Sequence, residues 1–109
     1  MGKPVAGDVV VIPFPQTNLQ VGKRRPALVV VDLPGDDLIL CQITSQARFD
    51  PYSVILGPPD LQSGRLTLQS FGRTSRLFTV EKSVILYVVG QINAAKLAEI
   101  RGKLSALFK

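Results

Sequence analysis

The stretch GKRRPALVV, residues 22–30, places three cations directly before a proline and an apolar run. The planar guanidinium group of arginine carries several N–H donors, which can hydrogen-bond to two phosphate oxygens at once. Pro26 and the strand-forming residues after it would limit the disorder of the Arg25 side chain. Thirteen Lys and Arg against eight Asp and Glu give a net charge of +5, which favours an anionic partner such as nucleic acid or an acidic protein segment. A solvated basic surface without a specific ligand is the alternative interpretation of the charge alone.

The chain has no histidine and a single cysteine, Cys41. This composition excludes Ser-His and Cys-His nucleophile pairs, paired-histidine ribonuclease chemistry and zinc sites built from histidine or several cysteines. The sequence also lacks a GxGxxG motif and a Walker lysine. We therefore expect neither a metal nor another cofactor. Cys41, within LILCQI, is expected to be a buried strand residue.

Short β-rich segments alternate with polar loops along most of the chain. The strand predictions are GDVVVIPF, PALVVV, LILCQI, SVIL, RLTLQ, RTSRLF and ILYVVG, in this order. A loop is predicted over residues 15–25, and turns at DLPGDD and GPPDLQSG. After Asn93, a potential N-cap, the apolar residues Leu97, Ile100, Leu104, Leu107 and Phe108 recur at helical spacing and predict one amphipathic helix.

Many short strands and one terminal helix predict a mainly β fold, a small, closed or nearly closed antiparallel barrel followed by an α-helix. The 109 residues suit a single domain, residues 1–109, with no internal boundary. The N-terminal segment lacks the long apolar stretch of a secretion signal, and no run reaches the length of a membrane span. The expected location is the cytoplasm, without membrane association.

Four segments, GDVVVIPF, KRRPALVV, ITSQ and SFGRTSRLFTVEK, occur in an order and spacing that resembles the MazF/PemK-like toxins of bacterial type II toxin–antitoxin systems. The resemblance covers roughly residues 7–108. It implies an SH3-like barrel, a homodimer, and a metal-independent, sequence-specific endoribonuclease that cleaves single-stranded RNA and inhibits translation and growth. It also implies a cognate antitoxin, which the positive charge suggests is acidic and folds as it covers the RNA site.

By this resemblance Arg25 matches the catalytic arginine of the family, and Thr44 in ITS matches its catalytic threonine. The chemistry is compatible, because attack by the RNA 2′-hydroxyl needs in-line geometry and stabilisation of a charged phosphorane more than a protein nucleophile. Arg25 would stabilise that charge and donate a proton to the leaving 5′-oxygen, and Thr44 would donate a hydrogen bond to the same phosphate. The products would carry 2′,3′-cyclic phosphate and 5′-hydroxyl ends. Without the resemblance, Thr44 would be interpreted as a β-branched residue that ends a strand.

Further RNA contacts are expected from polar residues near these two positions. Several have a structural alternative: the amides and hydroxyl at positions 16–18 are typical of turns but can read base edges, and the loop cations can be merely solvated. SFGR matches a motif of the PemK-like branch, except that Gly72 stands where an apolar residue is usual, which puts the local strand geometry in question. The predicted RNA-binding residues are Gln16, Thr17, Asn18, Lys23, Arg24, Ser45, Gln46, Ser70 and Arg73.

Aromatic side chains could stack on bases, but core packing is the expected role for most of Phe14, Phe49, Tyr52 and Phe71. Two other functions share parts of this pattern. One is a non-catalytic SH3-like module that binds nucleic acid, which would not need both Arg25 and Thr44. The other is a CcdB-like toxin that poisons DNA gyrase by protein contact; RRPALVV and ITS favour the ribonuclease branch instead.

Overall fold

The computed structural model describes residues 3–14, 23–46, 50–66 and 69–108, apart from the side chains of Phe14 and Lys23. These residues form strands β1 (Asp8–Phe14), β2 (Lys23–Asp32), β3 (Asp37–Thr44), β4 (Ser53–Leu56), β5 (Leu61–Gly64), β6 (Ser70–Glu81) and β7 (Tyr87–Ile92), followed by helix α1 (Ala94–Leu107). Two single turns of 3₁₀-helix, Pro58–Asp60 and Lys82–Val84, join strands.

The strands form one antiparallel sheet in the order β4-β6-β3-β2-β1-β7-β5, which curls into a half-barrel. Its two outer strands, β4 and β5, are consecutive in the chain and are linked by the turn Pro58–Asp60. The predicted mainly β, SH3-like antiparallel fold with a C-terminal helix is confirmed. Within the described residues, no helix combines the length and the apolar character that a membrane crossing requires.

Both faces of the central strands are buried, which explains the unbroken apolar runs of β1 and β2. On one face, Val9, Leu28, Cys41 and Ile43 belong to a core that includes Ile100 of α1. On the other face, a second core is built around Val10, Ile12, Ala27, Val29, Leu38 and Leu40. The helix therefore covers only one side of the sheet.

The helix begins as predicted, because Asn93 Oδ1 accepts a hydrogen bond from the backbone N–H of Lys96 at 2.8 Å. Ile100 is fully buried, and Leu97 and Leu104 pack against the same core. Phe108 lies just beyond the last helical residue and is 76% exposed, so the apolar stripe ends before it.

Gly72 continues β6 without a break, paired with Ile43 on one side and Val54 on the other. A Cβ atom here would lie 3.3 Å from Leu56 Cδ1 and 3.5 Å from Ile100 Cδ1. The space that an apolar side chain would need is thus already filled by those two residues. The departure from the family pattern leaves the pairing at Gly72 regular, and the irregular part of β6 lies on the other side of Arg73, between Arg73 and Leu77.

The strand prediction for RLTLQ was wrong for Arg65, Leu66 and Gln69, the described residues of that segment, which lie outside any strand. The fifth strand falls instead on Leu61–Gly64, inside the segment predicted as a turn. This edge strand is mostly exposed and so shows no apolar alternation. Gly64 and Gly90 allow its close approach to β7, since a Cβ at Gly64 would overlap the carbonyl oxygen of Val89.

The predicted loop was also too long at its C-terminal end, because residues 23–25 already belong to β2. Their backbones pair with β1, where Phe14, Pro13 and Ile12 lie opposite Lys23, Arg24 and Arg25. Strand β6 extends well beyond RTSRLF on both sides, and the remainder of the predicted loop, residues 15–22, lies outside the described residues.

Cys41 is fully buried, as predicted, and burial raises the pKa of its thiol from 9.0 to about 12. Because this pKa is higher in the folded chain, the thiol's contribution to the free energy of unfolding is complete below about pH 9 and is lost as the pH approaches 12. We expect the free energy of unfolding, measured by denaturant titration, to fall over this pH window more for the wild type than for the Cys41→Ala variant. Equal pH dependence of the free energy of unfolding in the two proteins would contradict the raised pKa of Cys41.

Candidate functional site

The pairing of β1, β2 and β3 places Arg25 and Thr44 on one face of the sheet. Ala27 lies opposite Gln42 in the β2–β3 register. The paired residues end here, and Arg25 and Thr44 each lie two positions further along, at the adjoining ends of β2 and β3. Directly paired residues, and residues two apart in one strand, point to the same side of a sheet. The two predicted catalytic residues therefore share a face, the one that α1 leaves uncovered.

Strands β6 and β4 extend the same face. Gln42 pairs with Arg73 of β6, and Arg73 pairs with Ser53 of β4. We call the set Arg25, Gln42, Thr44, Ser53 and Arg73 the polar face. Its members come from four neighbouring strands, and strand pairing fixes the alignment of Gln42, Arg73 and Ser53.

Thr44 has a defined hydrogen-bond partner. Its Oγ1 accepts from the backbone N–H of Gln46 at 3.2 Å, in a turn that closes the end of β3. With an acceptor position of the oxygen engaged in this way, the hydroxyl hydrogen remains available for donation to another acceptor. Arg25 and Thr44 are both half-buried, so each can reach a bound molecule while its base is held by neighbouring atoms.

Arg73 is held by side chains that leave part of its donor capacity unused. Nη1 donates to Gln42 Oε1 over a long 3.4 Å, and Nη2 lies 3.8 Å from Asp50 Oδ2. Only 12% of the Arg73 side chain is exposed. Within the described part of the chain, Arg73 Nε and Ser53 Oγ are buried atoms without a hydrogen-bond partner. Because the contacts of Nη1 and Nη2 are long, these groups retain donor capacity for an added anion, whereas the buried Nε–H is not accessible to one.

The remaining predicted site residues divide into three groups. Ser45 and Gln46 follow Thr44 directly and are exposed at the rim of the polar face. Arg24 is exposed but points to the other side of β2, since it alternates with Arg25. The residues Gln16, Thr17 and Asn18 and the side chain of Lys23 lie outside the described residues.

Ser70 is not brought to the polar face. It pairs with Leu56, a residue of the core beneath α1, and only 5% of it is exposed. Its neighbour Phe71 points the other way and lies opposite Thr44 and Ile55, half-buried on the side of the polar face. Tyr52, next to β4, is 40% exposed. Phe49 and the side chain of Phe14 lie outside the described part of the chain.

Sequence reasoning missed Gln42, Asp50 and Ser53 as parts of the site. A signal for Gln42 was present, because it is the one amide in the otherwise apolar segment LILCQI. Asp50 and Ser53 gave no such signal, since their proximity to Arg73 follows from the pairing of β4 with β6. Among the described residues, no group of three or more Cys, Asp or Glu side chains is arranged to hold a metal ion.

Comparison with known proteins places the chain in a family. Residues 6–108 match the family of "PemK-like, MazF-like toxin of type II toxin-antitoxin system", so this protein belongs to the PemK/MazF-like toxins. No curated protein sequence gives a significant match.

Solved structures share the fold over nearly the full chain. MazF from Deinococcus radiodurans is 28% identical with a TM-score of 0.74, over 99% of this chain and 98% of that one. MazE-MazF from the same organism is 26% identical with a TM-score of 0.75, over 98% and 97%. An endoribonuclease in complex with its cognate antitoxin from a mycobacterial species has a TM-score of 0.75 at 19% identity, over 96% and 94%, and this last likeness shows the fold alone.

The contacts of Arg73 predict a specific contribution to anion binding. We expect Arg73→Gln to weaken binding of a non-cleavable, 2′-O-methylated RNA oligonucleotide. A plot of the logarithm of the binding constant against the logarithm of the salt concentration should become shallower, by the amount that corresponds to about one phosphate contact. Asp50→Asn should strengthen binding roughly two- to fivefold, because it removes a competing carboxylate. Fluorescence anisotropy at several salt concentrations measures both effects.

The matched control is Arg101→Gln, which removes the same charge from an exposed position on α1, across the sheet. Equal losses in the Arg73 and Arg101 variants would show that only net charge matters. That result would contradict a local role for Arg73.

Proposed function

We propose that this toxin is a metal-independent, sequence-specific endoribonuclease that cleaves single-stranded RNA, inhibits translation and growth, and is neutralised by a cognate antitoxin. The observation that carries the proposal is the shared sheet face of Arg25 and Thr44 beside a second arginine, Arg73. Membership of the PemK/MazF-like toxins and the likeness to Deinococcus radiodurans MazF support it.

In the proposed reaction the RNA supplies its own nucleophile. The 2′-hydroxyl releases its proton to water as its oxygen attacks the adjacent phosphorus. The bond to the 5′-oxygen then breaks, which leaves a 2′,3′-cyclic phosphate and, after protonation of the 5′-oxygen by Arg25, a 5′-hydroxyl; Arg25 regains its proton from water. Arg25 stabilises the charge that grows on the phosphorane oxygens and donates a proton to the departing 5′-oxygen. Thr44 donates its hydroxyl hydrogen to the same phosphate, with Oγ1 oriented by the Gln46 N–H. A metal ion is not required for any of these roles.

Arg73 binds a neighbouring phosphate rather than the scissile one in this proposal. It lies one strand further from Arg25 than Thr44 does, and Asp50 and Gln42 hold it in place. Ser45 and Gln46 at the rim, together with Gln16, Thr17, Asn18 and Lys23, contribute further RNA contacts, whereas Arg24 points away from this face. Such contacts to the backbone position the strand so that the reacting atoms are in line.

The proposed protein partner is an acidic antitoxin segment that occupies the polar face and competes with RNA. The arginines of this face attract carboxylates as well as phosphates, because both are anions with paired oxygens. The Deinococcus radiodurans MazE-MazF structures and the mycobacterial endoribonuclease with its cognate antitoxin support this partner. A homodimer located in the cytoplasm completes the proposal.

The test is cleavage of a long single-stranded RNA in the presence of EDTA, with the ends of the products mapped. The wild-type protein should cut at a short recurring sequence. We expect Arg25→Ala and Thr44→Ala to lower the cleavage rate by about 10²–10³-fold, the typical effect of removing one donor that stabilises a transition state. Thr44→Ser should retain much of the activity because it keeps the hydroxyl, and Arg101→Ala serves as the folded control.

Absence of cleavage by folded wild-type protein would overturn the proposal. Retained RNA binding in that case would indicate the non-catalytic nucleic-acid module, and trapped DNA breaks with intact RNA would indicate a gyrase-directed toxin. Wild-type rates in both alanine variants would contradict the assigned roles of Arg25 and Thr44.

A further inference from the structure

A cavity of about 510 Å³ lies beside the polar face, on the side of the sheet that α1 does not cover. Its lining includes Ile12, Gln42, Arg76, Phe78, Val80 and Val84. Ile12 is the β1 partner of Arg25, and Gln42 both belongs to the polar face and lines the cavity. The cavity is therefore continuous with the candidate site.

A break in strand register lies beside the cavity. Gln42 pairs with Arg73, whereas the preceding residue, Cys41, pairs with Leu77, so residues 74–76 have no counterpart in β3. Such a bulge bends the strand and re-aims its side chains, and bulges are common beside active sites. Here it brings Arg76 to the cavity's edge, while Phe78 and Val80 lie opposite Leu40 and Leu38 of the second core.

The chemistry of the lining suits a flat, partly polar ligand attached to an anion. Most of the lining is apolar and includes the phenyl ring of Phe78, while Gln42 offers an amide and Arg76 a guanidinium. Pockets of about 300–1,000 Å³ with apolar walls and a few polar groups are typical ligand sites. An unstacked nucleobase matches this combination, because its faces pack on apolar and aromatic groups while its edge pairs with amides.

The charges around the cavity favour a nucleic acid over an apolar protein segment. Arg73 contacts Gln42, Arg76 lines the cavity with Gln42, and Arg25 pairs with Ile12, another lining residue. Asp50 Oδ2 lies 3.8 Å from Arg73 Nη2. An apolar side chain in the cavity would leave the arginines without a counter-charge. A nucleotide would place its base in the cavity and its phosphate on the polar face.

We propose that this cavity is a base pocket, which binds one unstacked RNA base next to the scissile phosphate and helps to select the cleavage sequence. The inference rests on the proposed ribonuclease function for its biological role. Phe78 packs on the base, and Gln42 and Arg76 contact its edge. These residues determine nucleotide preference, whereas Arg25 and Thr44 act on the phosphate.

The first test uses the four nucleoside monophosphates as probes, with inorganic phosphate as the control ligand. We expect millimolar concentrations of one or two of the nucleotides to shift the NMR signals of the Gln42 side-chain amide and the Arg76 Nε–H in a saturable way, whereas phosphate alone leaves them in place. Phe78→Leu should weaken this binding roughly 5- to 150-fold, the range for loss of one base–aromatic contact. Phe108→Leu makes the same change at an exposed site beyond α1 and should bind like the wild type.

The second test maps cleavage sites of the wild type, Phe78→Leu and Arg76→Ala on a random RNA library. Both pocket variants should relax the preference at one nucleotide position while the product ends stay the same. Unchanged preference together with an absence of nucleotide-induced shifts would overturn the base pocket and leave the ribonuclease standing. Nucleotide binding without any RNA cleavage would leave the pocket standing and overturn the ribonuclease. Shifts that respond to protein dilution but not to nucleotides would show that a second copy of the chain fills the cavity, which also overturns the proposal.

Discussion

Ala27 of β2 lies opposite Gln42 of β3, and Gln42 lies opposite Arg73 of β6. The candidate site depends on this register, because a slip of one residue in any of the three strands would turn its polar side chain into the opposite core. The buried apolar residues on both faces oppose such a slip, since Leu28, Cys41 and Ile43 would have to leave the core beneath α1. The residues that stabilise the fold thus also set the positions of Arg25, Thr44 and Arg73.

The helix gives the two faces of the sheet different roles. Ile100, Leu97 and Leu104 of α1 cover one face, and Gly72 allows the close contact of Leu56 and Ile100 with β6. The other face carries an apolar core at one end and the polar face at the other, with Gln42 at the boundary. The bulge in β6 and the cavity both lie at this boundary. A polar face that carries arginines and a mostly apolar cavity consequently adjoin each other.

The strongly patterned parts of the fold could be predicted from the sequence. Apolar runs identified β1 to β4, and Asn93 with the spacing of Leu97, Ile100 and Leu104 identified the helix. The edge strand Leu61–Gly64 could not be predicted, because it is mostly exposed and its pairing depends on glycines in two strands. For the site, the motifs RRPALVV and ITS led to the prediction of Arg25 and Thr44, whose catalytic roles stay a prediction. The ion pair of Arg73 with Asp50 and the burial of Ser70 could not be predicted, because both follow from the pairing of β4 with β6.

The central claim is that Arg25 and Thr44 act together on one phosphate. A double-mutant cycle tests it most directly: single-turnover cleavage of one defined RNA by the wild type, Arg25→Ala, Thr44→Ala and the double variant. Groups that stabilise the same transition state are strongly non-additive, so the double variant should lose much less activity than the product of the two single losses. Losses that multiply would mean that the two side chains act independently, and this result would contradict the account.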